Sequence, residues 1–89
     1  MAEPYSLEYT ETAVDQLERL PRTIAAQIIR KLEWMAANAT DVKHEAMTGN
    51  WGGFFRIRVR DYRVIYSLDH ARRVIEVEAV GHRSKIYGE

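Results

Sequence analysis

The hydrophobic pattern of this chain switches period twice. It starts with alternation, passes through two helical stripes and returns to alternation for the second half. The sharpest alternation runs from Phe54 to Tyr66, FFRIRVRDYRVIY. Phe55, Ile57 and Val59 fall on one face of a strand, and Arg56, Arg58 and Arg60 on the other, because successive strand side chains point to opposite faces. Asp61-Tyr62 predicts the turn back, and Arg63 opens a second strand. That strand directs Val64, Tyr66 and Leu68 to the core and Arg63, Ile65 and Ser67 to the far side. Antiparallel pairing of the two then adds Arg63 to the arginine face.

Ahead of this stretch, Tyr5, Leu7 and Tyr9 alternate with Ser6 and Glu8 and predict a short opening strand after Pro4. Thr10 or Thr12 offers a helix N-cap, and Thr12 with Asp15 has capping-box spacing. Ala13, Leu17 and Leu20 give a first helix, which Pro21 ends. From Thr23 the stripe Ile24, Ile28, Leu32, Met35, widened by Ile29 and Trp34, predicts a longer helix that stops near Asn38. Residues 39–53 lose all periodicity, and Gly49, Asn50, Gly52 and Gly53 mark a loop in which Trp51 covers the edge of the core. After a turn at Asp69-His70-Ala71-Arg72, Ile75, Val77 and Ala79 alternate with Glu76 and Glu78 in a last strand. Val80-Gly81-His82-Arg83 then carries the chain out of the sheet.

The order β-α-α-β-β-β predicts an α+β fold, a helical hairpin covering one face of an antiparallel sheet, in a single domain over residues 1–89. No element remains for the other face. That face carries Arg56, Arg58 and Arg63, and planar, permanently charged guanidinium groups on a stiff sheet match the oxygens of a phosphate. A solvated sheet face has the same pattern. Glu76 and Glu78 are expected to pair with these arginines.

Composition sharpens this picture in two places. Cysteine is absent, which excludes disulfides and thiolate metal sites and, in so small a chain, points to a reducing compartment or a life bound to a partner. With no apolar run of ~18 residues and no signal-peptide pattern, the expected location is the cytoplasm, away from membranes. The formal charge of zero conceals a split. Residues 1–53 hold five Lys/Arg against eight Asp/Glu, whereas residues 54–87 hold eight against four. The sheet half is therefore positioned to meet a polyanion. No acidic pair or His/Cys cluster suggests a metal nuclease, and no cofactor is implied. His44 and His70 fall in polar loop surroundings with no partner ligands nearby.

The strings FFRIRVRDYRVIY and VGHRSKIY, in this order of elements, resemble the RelE/ParE toxin superfamily and more narrowly the RelE-type toxins of toxin-antitoxin pairs. The resemblance spans essentially the whole chain, including the Leu20-Pro21 break and Gly49 before the basic strand. It is most specific in the R-x-R-x-x-x-Y-R-x-x-Y core with its downstream G-H-R and terminal tyrosine. It implies a RelE-like fold and a ribosome-dependent endonuclease that cuts mRNA in the A site of the 30S subunit by metal-independent attack of the 2′-hydroxyl. It also implies a RelB-like antitoxin as partner, with operator DNA contacted only through that antitoxin.

Carried over position by position, the resemblance assigns Arg56 and Arg58 to substrate binding and Arg63, Arg83 and Tyr87 to catalysis. Many RelE members have lysines where Arg56 and Arg58 stand, and an arginine does not serve as a base. His82, beside Arg83, is then the candidate base, or else a hydrogen-bonded residue at a strand end. Tyr87 suits stacking on a base or hydrogen bonding to the 2′-hydroxyl. Two other readings stand beside the nuclease: a ParE-like inhibitor of DNA gyrase, and a catalytically silent module acting only with its antitoxin.

Overall fold

The computed structural model describes residues 3–87. Strand β1 (Ser6–Tyr9) leads into helix α1 (Glu11–Glu18) and helix α2 (Arg22–Ala37). A two-residue strand β2 (Glu45–Ala46), a single 3₁₀ turn (Gly49–Trp51) and strands β3 (Phe55–Val59), β4 (Tyr62–Asp69) and β5 (Val74–His82) complete the order. The five strands form one sheet in the order β1-β5-β4-β3-β2, with both helices on one face. Among the described residues, no helix is long and apolar enough to cross a membrane.

The α+β class and the helical hairpin agree with the sequence pattern, with two differences in the sheet. β1 lies parallel to β5, Ser6 beside Val74, so the sheet is mixed rather than antiparallel throughout. The intervening helices and hairpins return the chain to the far edge, which a parallel neighbour requires. The aperiodic stretch also hides β2, which pairs Glu45 with Arg56 and Ala46 with Phe55. Two residues are too few to display a period.

The core is where the two periods meet. Ile28, Leu32 and Met35 of α2 are buried against Val64 and Tyr66 of β4 and Ile75, Val77 and Val80 of β5, with Ala13 from α1. Each large side chain buried here stabilises the fold by about 1.5–3 kcal/mol. Ile29 and Trp34, expected to widen the α2 stripe, are instead 36% and 50% exposed. They lie at the flanks of the stripe, and Lys31 covers the Trp34 ring, its Nζ 4.5 Å from the centroid. Trp51 belongs neither to the core nor to the apolar residues packed on it.

A bulge explains why β5 breaks its own alternation. Ile65 pairs with Ala79 but Tyr66 pairs with Val77, which leaves Glu78 as the extra residue. Beyond it the inward position passes from Ala79 to Val80. Thr10, not Thr12, caps α1, and it also secures the bulge. Its Oγ1 accepts the Ala13 N–H at 3.1 Å and donates to the Glu78 carbonyl at 2.9 Å. The Val80 N–H donates to Gln16 Oε1 at 2.6 Å. The backbone groups freed by the bulge thus find partners on α1, as buried amides and carbonyls require.

Candidate functional site

The arginine strand and its partner meet at a tight hairpin. Val59 pairs with Tyr62, so Arg60-Asp61 forms the turn, one residue earlier than the pattern predicts, and Arg60 takes φ +54°. This removes Arg60 from the arginine face. Its Nε donates to Gln27 Oε1 of α2 at 2.6 Å, on the helix side of the sheet. Arg58 and Arg63 then stand directly opposite each other in the β3-β4 ladder. Like charges at such a pair destabilise a sheet by a few tenths of a kcal/mol, so the fold maintains them against its own stability.

A pocket of about 310 Å³ opens on the sheet face away from the helices, lined by Glu45, Arg56, Arg58, Arg63, Arg83 and Tyr87. They are brought together from β2, β3, β4, the residue just after β5 and the segment beyond it. Arg56 and Arg58 alternate outward on β3. Arg63 on β4 is anchored by its Nη1, which donates to the carbonyls of Arg60 at 3.2 Å and Tyr62 at 3.0 Å. Arg83 comes just after the end of β5; its N–H donates to the Asp61 carbonyl at 2.8 Å, and its Nε lies 3.9 Å from the Asp61 carboxylate. Tyr87 reaches the pocket because the segment after β5 folds back on the sheet. A Cβ at Gly81 would lie 3.1 Å from Ile86 Cδ1, tighter than ordinary contact, so glycine there eases the close approach beside Arg63.

Within the pocket, Arg56 is the hub. Its Nη2 donates to Glu45 Oε2 at 2.8 Å and its Nη1 to the Tyr87 hydroxyl at 3.3 Å, with the guanidinium carbon 5.8 Å from the Tyr87 ring centroid. The hydrogen bond from Arg56 holds the Glu45 carboxyl below its ordinary range, and the charges of Arg56, Arg58 and Arg63 act in the same direction. Glu45 in turn holds Arg56 more firmly protonated, Tyr87 assisting. Among the described residues no hydrogen bond or ion pair occupies Arg58. The pocket therefore holds four guanidinium groups around one carboxylate, an excess of positive charge that fits a phosphate.

Residues 7–87 match the family described as the ParE toxin of the type II toxin-antitoxin system parDE. The chain belongs to the RelE/ParE superfamily of toxins. Toxin RelE of Mycobacterium tuberculosis is 30% identical over 84 residues, covering 94% of this chain and 87% of the relative. A RelBE toxin-antitoxin complex from the same organism superposes with a TM-score of 0.83 at 24% identity, covering 96% of this chain and 98% of that one. A mutant of Escherichia coli toxin RelE in the free state gives 0.76 at 24% identity, over 94% and 90%. These two structures establish a shared RelE-like fold.

In this toxin, five of the six site residues expected from sequence line one pocket, and His82 is not among them. The His82 Nδ1 accepts from the Ser84 hydroxyl at 2.8 Å and from the Ser84 N–H at 3.2 Å, and its ring packs edge-on against Tyr62 at 5.4 Å. The lone pair a base would use is thus committed to the turn that carries Arg83 and Tyr87. Among the described residues Glu76 and Glu78 do not pair with the arginines either. Glu78 is pushed up to about 7, first by burial and then by its hydrogen bond to Glu76 and that group's charge.

Glu45 is the site residue that the sequence pattern missed. Its signal lies in the spacing about the glycine cluster, since a hairpin closed at Gly49–Gly53 brings residue 45 across from residue 56. A hydrogen-bonded pair of half-buried His44 with buried Tyr66 then supports the segment. The His44 Nε2 donates to the Ala39 carbonyl at 2.8 Å, and its Nδ1 accepts from the Tyr66 hydroxyl at 2.6 Å. Tyr66 keeps its proton for this bond, because burial and the charge of Glu45 push it up to about 12.

Proposed function

We propose that this type II toxin is a ribosome-dependent endonuclease that cuts mRNA in the A site. The observation that carries the reading is the pocket of Arg56, Arg58, Arg63, Arg83, Glu45 and Tyr87 on the face left bare by the helices. A single carboxylate is too few for a two-metal phosphodiesterase site, but the set supplies every group an internal transesterification needs. Glu45 is ionised at neutral pH and takes the proton of the 2′-hydroxyl. The 2′-oxygen attacks phosphorus, and the guanidinium groups stabilise the charge that gathers on the non-bridging oxygens. Tyr87 accepts from Arg56, which directs its own proton away from that arginine and toward the leaving 5′-oxygen. The P–O5′ bond breaks, giving a 2′,3′-cyclic phosphate and a 5′-hydroxyl. His82 positions the turn and has no proton-transfer role.

The partner that silences this site is a RelB-like antitoxin, through which alone the toxin reaches operator DNA. Similarity to proteins solved as toxin-antitoxin complexes supports this pairing. The surface offers an uncovered apolar groove for it, walled by Leu7, Tyr9, Val14, Leu17 and Ile29 and rimmed by Glu18 and Glu33.

The test is primer extension of a defined message on programmed ribosomes beside the same RNA alone. The expected result is cleavage at A-site codons on the ribosome only. Cleavage in neither arm transfers the reading to gyrase inhibition, which a supercoiling assay then examines. Glu45→Gln is expected to lower the single-turnover rate by ~10²-fold or more, as loss of a general base does. It should leave message binding equal or tighter, since an anion has left the phosphate site. Cleavage at the wild-type rate by Glu45→Gln would remove the base assignment.

A further inference from the structure

Beside the arginine pocket lies a second one, of about 220 Å³, lined by Ala46, Met47, Thr48, Trp51, Arg56 and Tyr87. The two share Arg56 and Tyr87, so whatever binds the arginines continues into it. We propose that this second pocket is a subsite for one unpaired nucleobase adjoining the attacked phosphate, with Trp51 as its stacking wall. The inference rests on the nuclease reading and gives that site a contact able to select sequence.

The chemistry of the walls suits a base better than more phosphate. Trp51 and Met47 supply flat, polarisable surface, Tyr87 a second ring, and Thr48 a hydroxyl that no described residue engages. A π-face accepts any base by stacking, and a hydroxyl at its edge distinguishes donors from acceptors.

The wall is also held in place before anything binds. The loop is closed at its base by the Met47 N–H donating to the Phe54 carbonyl at 2.9 Å. Inside it, the N–H of Trp51 donates to Thr48 at 3.2 Å, that of Gly52 to Gly49 at 3.0 Å, and that of Phe54 to Trp51 at 3.0 Å. Gly49 at φ +66° and Gly53 at φ +91° supply the left-handed backbone such a loop needs. The indole packs edge-on against Phe54, 5.7 Å between centroids and 83° between planes. Since Trp51 contributes nothing to the core, this construction leaves a large apolar ring half-exposed beside the catalytic groups.

The experiment uses the full chain on programmed ribosomes, with synthetic messages made abasic in turn on each side of the cut. Trp51→Ala should raise KM by about tenfold, the factor that stacking of one base represents, with the larger change in KM rather than kcat. Trp51→Phe should recover most of that loss. On the message abasic at the position this pocket holds, the wild-type toxin should lose the same factor and Trp51→Ala nothing further. Losses that add at both positions, or a folded Trp51→Ala with wild-type KM, overturn the subsite while cleavage itself upholds the phosphate site. If the wild-type toxin cuts no message, the nuclease reading falls and the subsite falls with it.

Discussion

Thr10→Val tests whether the bulge in β5 depends on α1. Valine keeps the shape of threonine and puts a methyl group in place of the hydroxyl, which both caps α1 and satisfies the Glu78 carbonyl. Loss of an N-cap costs about 1 kcal/mol. Leaving a carbonyl without its partner costs about 1–3 kcal/mol, and the low end applies here because the site is only partly buried. The sum is about 2 kcal/mol, and for a chain of this size that lowers Tm by about 10 °C. Urea and thermal unfolding followed by circular dichroism measure both quantities. Thr10→Ser retains the hydroxyl and should stay within about 0.5 kcal/mol of the wild type. If Thr10→Val unfolds at the wild-type midpoint, the bulge is held by something other than this bond.

Other consequences concern charge. Arg63→Ala should lower single-turnover cleavage by ~10²-fold or more, yet it should leave Tm equal or higher, because it ends the like-charge opposition with Arg58. A large fall in Tm would show that Arg63 supports the fold rather than the chemistry. Glu78 has a raised pKa, so between the ordinary value of 4.5 and about 7 the folded state holds a proton that the unfolded state has released. Stability should therefore decline as pH rises through that window. Glu78→Gln should flatten the decline, as unfolding free energies at pH 5 and pH 8 would reveal; an unchanged pH dependence would show that Glu78 does not hold that proton.

The residues that the sequence reveals and those it conceals differ in a physical way. Arg56, Arg58 and Arg63 are legible because strand alternation places a side chain on a face without reference to anything distant. The α2 core residues Ile28, Leu32 and Met35 are legible for the corresponding reason. Arg60 is misplaced by the pattern because the turn begins one residue early and takes it out of the strand, and Ala79 because a single bulge reverses the inward and outward sense of the residues beyond it. Glu45 and Trp51 escape it because their positions depend on a glycine-built loop, whose closure leaves no periodic trace. His82 stands next to Arg83 in the chain, but adjacency along a strand end sends neighbouring side chains in different directions.

The parallel pairing of β1 with β5 also bears on when the arginine pocket can be completed. Ser6 and its neighbours are among the first residues made, yet their strand partner begins only at Val74. Loop closure on that scale comes late, after the local helices and hairpins. Arg83 and Tyr87, which lie beyond β5, complete the pocket at the same stage. A nascent chain still missing its final strand thus has neither a closed sheet nor a complete set of site residues. Synthesis of the first strand and completion of the arginine pocket are therefore separated in time by topology.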